Sequence, residues 1–206
     1  MIRALLVLLV WAVQATLICL LVTDGWVERE FSEERSLVAS ELGSQRANAL
    51  AGRAERAYRR WFVDNGRVAG SYATVLPDHT VPQQGMENLA PWAFRWAGHR
   101  LDAFWWLAYQ AVYRLFLLGV WFPYVAVASG AALIDGLVRR QIKRANSGYA
   151  SGDRIAIARA GLLVLLLGPL FYLSLPIAVP PMMLPLGGAG LALLCSLYAA
   201  NIQHRI

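Results

Sequence analysis

The sequence predicts an all-α polytopic membrane protein with four transmembrane helices and a mostly helical periplasmic region between the first and the second. Two observations lead to this fold class. Hydrophobic residues make up 58% of the chain and charged residues only 16%, which leaves too little polar surface to cover a soluble globule. Long uncharged apolar runs also occur at 4–23, 115–134 and 160–203, and a membrane span needs ~20 such residues.

Residues 1–23 predict the first transmembrane helix. Its apolar part is longer than the roughly 7 to 15 residues of a secretory signal peptide, and no small-residue cleavage motif precedes Asp24. We therefore expect an uncleaved anchor.

We predict that residues 24–103 form the periplasmic region, because they contain both basic and acidic residues and begin with an acid-rich stretch. Apolar residues recur at three-, four- and seven-residue steps from Trp26 to Val63, which is typical of one face of a helix. Asn65-Gly66 is expected to end this helix, and Gly70 to Gln84 is expected to be irregular. The region thus contains a Gly/Pro-containing connection near 65–86.

Residues 104–138 predict the second transmembrane helix. Its start is crowded with aromatic residues, which favours a belt at the membrane interface and, as an alternative, a protein-contact surface; they are Phe104, Trp105, Trp106, Tyr109 and Tyr113. Arg114 follows this belt and is expected to extend outward to water. Pro123 predicts a kink within the span, and Asp135 is spaced to pair with Arg139.

Residues 139–159 predict a basic cytoplasmic loop. It begins with Arg139, Arg140, Lys143 and Arg144, and cytoplasmic loops of bacterial membrane proteins carry such an excess of cations. Ser151 and Gly152 are expected to turn the chain and cap the next helix. A cytoplasmic position of this loop, together with four spans, predicts a protein of the bacterial inner membrane with both termini in the cytoplasm.

Residues 160–206 predict a transmembrane hairpin, because their apolar run is too long for a single span. Pro176, Pro180 and Pro181 supply the break between its two helices. Glycines at 187, 188 and 190 indicate close helix packing in the last span.

Searching the sequence for chemistry yields little. Phosphate-binding loops and paired-cysteine metal motifs are missing, and His79, His99 and His204 are scattered along the chain. We therefore predict no enzyme, no catalytic residue, no cofactor and no metal. A membrane enzyme or small-molecule transporter stays open as an alternative, although the spans contain few polar residues that could converge on a substrate.

The second half of the chain carries a resemblance to a known family. Arg114, Pro123, the stretch LIDGLVRRQIKR at 133–144 and the stretch PLFYLSLPIAVPP at 169–181 resemble an uncharacterised domain of integral membrane proteins. Such proteins are encoded in the transfer regions of integrating conjugative elements and conjugative plasmids. The similarity covers about 112–206.

This resemblance implies a scaffold or accessory component of conjugative DNA transfer, encoded near the coupling ATPase that feeds DNA to a type IV secretion channel. Its implied partners are that ATPase and other secretion components. We expect the four basic residues of 139–144 to meet an acidic partner surface and also anionic lipid headgroups, with direct DNA contact ranked lower. Self-association is open, and an entry-exclusion protein is the main alternative.

Overall fold

The computed structural model describes residues 2–76, 91–145 and 152–202. These residues are helical for the most part and contain no strand, so the predicted all-α class is confirmed. The helices are α1 (Ile2–Leu21), α2 (Asp24–Leu42), α3 (Ser44–Tyr58), α4 (Arg67–Val75), α5 (Pro91–Ala145), α6 (Gly152–Ser174) and α7 (Met183–Asn201), and a π-helical turn follows α3 at Arg59–Val63.

Three of the described helices are long and apolar enough to cross a membrane, namely α5, α6 and α7. A fourth span is counted only if α1 and α2 act together as one broken span, since the two are bent by 112° at the break between them. Composition and length therefore give three to four candidate spans, where the sequence predicted four.

Two compact units make up the structure. The first is drawn from Met1–Phe116 and Tyr172–Pro180, and the second from Leu117–Phe171 and Pro181–Ile206. Helix α5 contributes residues to both units, and the first unit includes a short segment that begins in the last turn of α6.

The prediction of a single helix from Trp26 to Val63 was wrong, because this range forms more than one helix. The chain breaks at Gly43, whose φ of +84° lies in the left-handed region that residues with a Cβ rarely adopt. Helix α2 buries Val27, Phe31, Glu34 and Val38, while α3 buries small residues and Leu50. Both faces follow the three- and four-residue steps of the sequence, and only the break was missed.

The prediction of an irregular connection was wrong for its first residues, which are helical. Gly66 adopts a left-handed conformation and α4 then begins at Arg67 and continues to Val75. The rest of the predicted connection, residues 77–86, lies outside the described residues.

In the second unit, close contacts at glycines join α5, α6 and α7. A Cβ added to Gly136 of α5 would lie 2.5 Å from the Ser196 carbonyl oxygen of α7, and one added to Gly188 would overlap the Val125 side chain. Gly161 of α6 similarly faces Leu194. At Gly136 the obstructing oxygen belongs to the backbone, so that a side chain there would force the two helices apart, whereas Gly161 and Gly188 face side-chain carbons.

Candidate functional site

A fully buried ion pair joins α2 and α5 in the first unit. The Arg114 guanidinium donates to Glu34, with Nη2 2.7 Å from Oε2 and Nε 2.9 Å from Oε1. Both side chains are 0% exposed. The expectation that Arg114 extends outward to water was therefore wrong, because Glu34 offers it a bidentate partner inside the protein.

Arg114 also binds the backbone of the last turn of α6 and of the residues that follow it. Its Nη1 donates to the carbonyl oxygens of Tyr172 and Leu175, each at 2.6 Å, and its Nη2 donates to the carbonyl oxygen of Ile177 at 2.5 Å. The guanidinium carbon lies 4.8 Å from the centre of the Tyr172 ring. Arg114 thus bonds three carbonyl groups and the Glu34 carboxylate at once. The five N–H donors of a guanidinium allow this, whereas a lysine ammonium has only three.

Helix α2 holds the same segment through two further side chains. We call residues 175–180 the strap, a non-helical stretch of the first unit. Trp26 Nε1 donates to the Pro176 carbonyl oxygen at 3.0 Å, and Glu30 Oε2 accepts from the Ala178 N–H at 2.8 Å. These side chains replace the backbone partners that a helix would have supplied.

The break between α6 and α7 lies where the prolines predicted it. Pro176 and Pro180 belong to the strap, and Pro181 is a buried residue of the second unit. Pro123 lies inside the continuous helix α5.

A cavity of about 830 Å³ opens in the first unit. Its walls are aromatic and carry four carboxylates against two guanidiniums; the lining residues are Asp24, Glu28, Phe31, Ser32, Arg35, Glu55, Tyr58, Arg59, Tyr72, Asp102, Trp105, Trp106 and Tyr109. Burial raises the pKa of Tyr58. Burial also raises the pKa of Tyr72, and so does the hydrogen bond that its hydroxyl donates to Asp102.

The aromatic cluster at the start of the predicted second span packs against α2 and α3. The ring centre of Phe31 lies 5.2 Å from that of Tyr109 and 5.3 Å from that of Tyr113, in edge-to-face arrangements. The ring centres of Tyr58 and Tyr109 are also 5.2 Å apart. Such pairs contribute about 0.5–1.5 kcal/mol beyond their burial. Several of these rings therefore form an internal packing surface in addition to any membrane belt.

The predicted basic contact residues lie at the end of α5, in the second unit. Arg139 Nε pairs with Asp135 at 2.9 Å, which is the pair that the sequence spacing predicted, and Lys143 Nζ donates to Asn201 of α7 at 3.0 Å. Arg140 Nε and Nη2 are buried and have no hydrogen-bond partner within the described part of the chain. The side chain of Arg144 and the whole of Ser151 lie outside the described residues, and Gly152 begins α6.

The contacts of Glu34, Glu30 and Trp26 were not predicted from the sequence. A signal for Glu34 was present, since it stands in the apolar stripe formed by Val27, Phe31 and Val38. An acid at such a position is buried and requires a cation. The cation is 80 residues away, and nothing local in the sequence pointed to it.

A family model described as IncC plasmid conjugative DNA transfer protein DtrJ-like matches residues 31–203. The chain belongs to the DtrJ-like family. This confirms the resemblance to a family of conjugative transfer proteins, and the DtrJ-like match includes Glu34, Arg114, the strap and the basic end of α5. No curated protein and no solved structure matches the chain.

Proposed function

We propose that this DtrJ-like protein is a non-enzymatic scaffold of the bacterial inner membrane that assists conjugative DNA transfer and contacts the coupling ATPase of a type IV secretion system. The observation that carries the proposal is the family match over residues 31–203. Three helices with the length and composition of membrane spans lie within that match. Both termini are taken to be cytoplasmic, from the positive charge that follows the second predicted span.

The hydrogen bonds of the buried Glu34–Arg114 ion pair support a role as a scaffold. Glu34 and Arg114 form hydrogen bonds with each other, and they also bond Gln110, Tyr172 and the strap. Groups so fully engaged position backbone, whereas transport or acid–base chemistry requires a polar group that a substrate can reach. In the proposed scaffold, these contacts would hold α2 in a fixed position against α5 and the strap.

The basic end of α5 is the surface proposed to meet the ATPase. Arg139 and Lys143 already have partners within the chain, and the ion pair of Arg139 is exposed enough to exchange for an external acid. Among the described residues, two buried donors of Arg140 have no partner, and after a small rearrangement an acidic partner would offset the cost of their desolvation. Anionic lipid contributes at the same place, at about 1 kcal/mol per cation.

The experiment that tests this function is mating frequency after deletion and complementation of the gene, scored separately in donor and recipient. A complemented loss of transfer from the deleted donor supports a part of the transfer apparatus. Normal donor transfer with increased uptake by the deleted recipient contradicts the proposal and favours entry exclusion. Unchanged transfer in both roles also contradicts it.

Reversing the charge of the four basic residues tests the proposed contact. We expect Arg139→Glu, Arg140→Glu, Lys143→Glu and Arg144→Glu together to lower donor mating frequency about tenfold or more, as expected for loss of at least ~1.4 kcal/mol of binding. The matched control changes the three arginines to lysine, which keeps the charge and the orientation signal. Reporter fusions must show unchanged topology, because the same residues orient the protein. Normal transfer by a correctly inserted reversed variant would refute the contact.

A further inference from the structure

Three metal-ligating side chains meet in the first unit, where α1 gives way to α2. Asp24 is the first residue of α2, and His99 and Asp102 are three residues apart on α5, so that the latter two share one helix face. One ligand atom from each residue lies within 4.8 Å of the other two. Asp24 and His99 are 75 residues apart in sequence, and their convergence is a product of the fold.

The surrounding contacts position these ligands. Arg100 Nη1 donates to the Val22 carbonyl oxygen at 2.6 Å, which fixes the break between α1 and α2 against α5 directly beside Asp24. The Tyr72 hydroxyl of α4 donates to Asp102 Oδ1 and orients that carboxylate. Protein metal sites are supported in the same way, by outer hydrogen bonds that hold the ligands in one orientation.

We propose that Asp24, His99 and Asp102 bind a divalent transition-metal ion, with Zn²⁺ as the best fit. His99 Nδ1 lies 3.3 Å from Asp24 Oδ2. Two ligands of one tetrahedral Zn²⁺ ion, each ~2.0–2.1 Å from the metal, are about 3.4 Å apart. These two atoms already have the spacing of ligands that share an ion, and a carboxylate oxygen of Asp102 lies within 4.8 Å of both.

The donor set and its exposure fit zinc with an open coordination position. One imidazole and two carboxylates are ligands that zinc accepts readily, whereas magnesium and calcium prefer oxygen alone. The side chains of His99 and Asp24 are 67% and 38% exposed, so that an ion reaches them from solvent. Asp24 and Asp102 also line the acidic aromatic cavity, toward which the remaining position would face.

Bound zinc would join the start of α2 to α5 more firmly than the hydrogen bonds do. The Asp24–His99 contact is largely exposed and is therefore weak by itself. An ion that binds only the folded arrangement stabilises it by mass action. Zinc would thus hold the break between α1 and α2 in place against α5.

The test is zinc binding by the purified full-length protein in detergent, without a polyhistidine tag, by isothermal titration calorimetry and elemental analysis. We expect one saturable site per chain. Asp24→Asn, His99→Gln and Asp102→Asn should each weaken binding about tenfold or more, and Tyr72→Phe should weaken it about tenfold through the loss of ligand orientation. His79→Gln and His204→Gln are the matched controls and should bind as the wild type does.

Folding of each variant is checked by its helical circular dichroism and its melting temperature without metal. His99 is mostly exposed, so that His99→Gln should fold normally and lose only the zinc-induced rise in melting temperature. Absence of saturable zinc uptake by the wild type would overturn the site. Equal zinc affinity of the wild type and of His99→Gln and Asp102→Asn would overturn it as well.

Discussion

Replacing Arg114 by methionine is expected to lower the free energy of unfolding by about 3–5 kcal/mol, because the change leaves the Glu34 carboxylate buried without its cation. The same change removes the donors for the carbonyl oxygens of Tyr172, Leu175 and Ile177. The measurement is unfolding by sodium dodecyl sulfate in mixed micelles, followed by circular dichroism.

Two comparisons isolate the buried ion pair. The double variant Glu34→Met, Arg114→Met should recover part of the loss, since it leaves no unpaired charge, but not the part due to the strap. Arg139→Gln removes an ion pair with Asp135 that is about half exposed, and it should change stability by less than ~1 kcal/mol. If Arg114→Met unfolds at the wild-type detergent fraction, the pair is not the main bond between α2 and α5.

Adding a methyl group at Gly136 is the second large change. We expect Gly136→Ala to cost about 1–3 kcal/mol, because its Cβ would lie 2.5 Å from the Ser196 carbonyl oxygen and 2.8 Å from the Ala199 Cβ. The obstructing oxygen belongs to the helix backbone, so that no side-chain rotation relieves the contact and α5 and α7 must separate. The same detergent-unfolding assay measures the loss.

The matched control for this contact is Gly130→Ala on the same helix. No heavy atom lies within 4 Å of a Cβ built at Gly130, and alanine is the better helix former by up to ~1 kcal/mol. Gly130→Ala should therefore leave stability unchanged or raise it. Equal stability of the two variants would show that α5 and α7 do not cross at Gly136.

The features that the sequence could predict are those that depend on local composition. Long apolar runs predicted the candidate spans, the prolines at 176, 180 and 181 predicted the break after α6, and the spacing of Asp135 and Arg139 predicted their pair. Each of these follows from residues that are close together in the chain.

The features that were missed depend on contacts between distant residues. A stripe such as Val27, Phe31 and Val38 predicts a buried helix face without saying what it faces. Arg114 next to aromatic residues was compatible with an outward orientation until the fold placed Glu34 opposite to it. The convergence of Asp24 with His99 and Asp102 has the same origin, since the start of α2 and helix α5 must first be positioned against each other.

The strap has a consequence for the order in which the protein is made. Arg114 binds carbonyl groups that lie 58, 61 and 63 residues later in the chain. Until the ribosome has produced Ile177, and α6 has folded so that the strap can return, this guanidinium lacks three of its partners. The first unit thus joins residues that are far apart in the order of synthesis, and a chain that ends before Tyr172 would leave Arg114 as an incompletely bonded cation, open to recognition by the quality control that removes unfolded proteins.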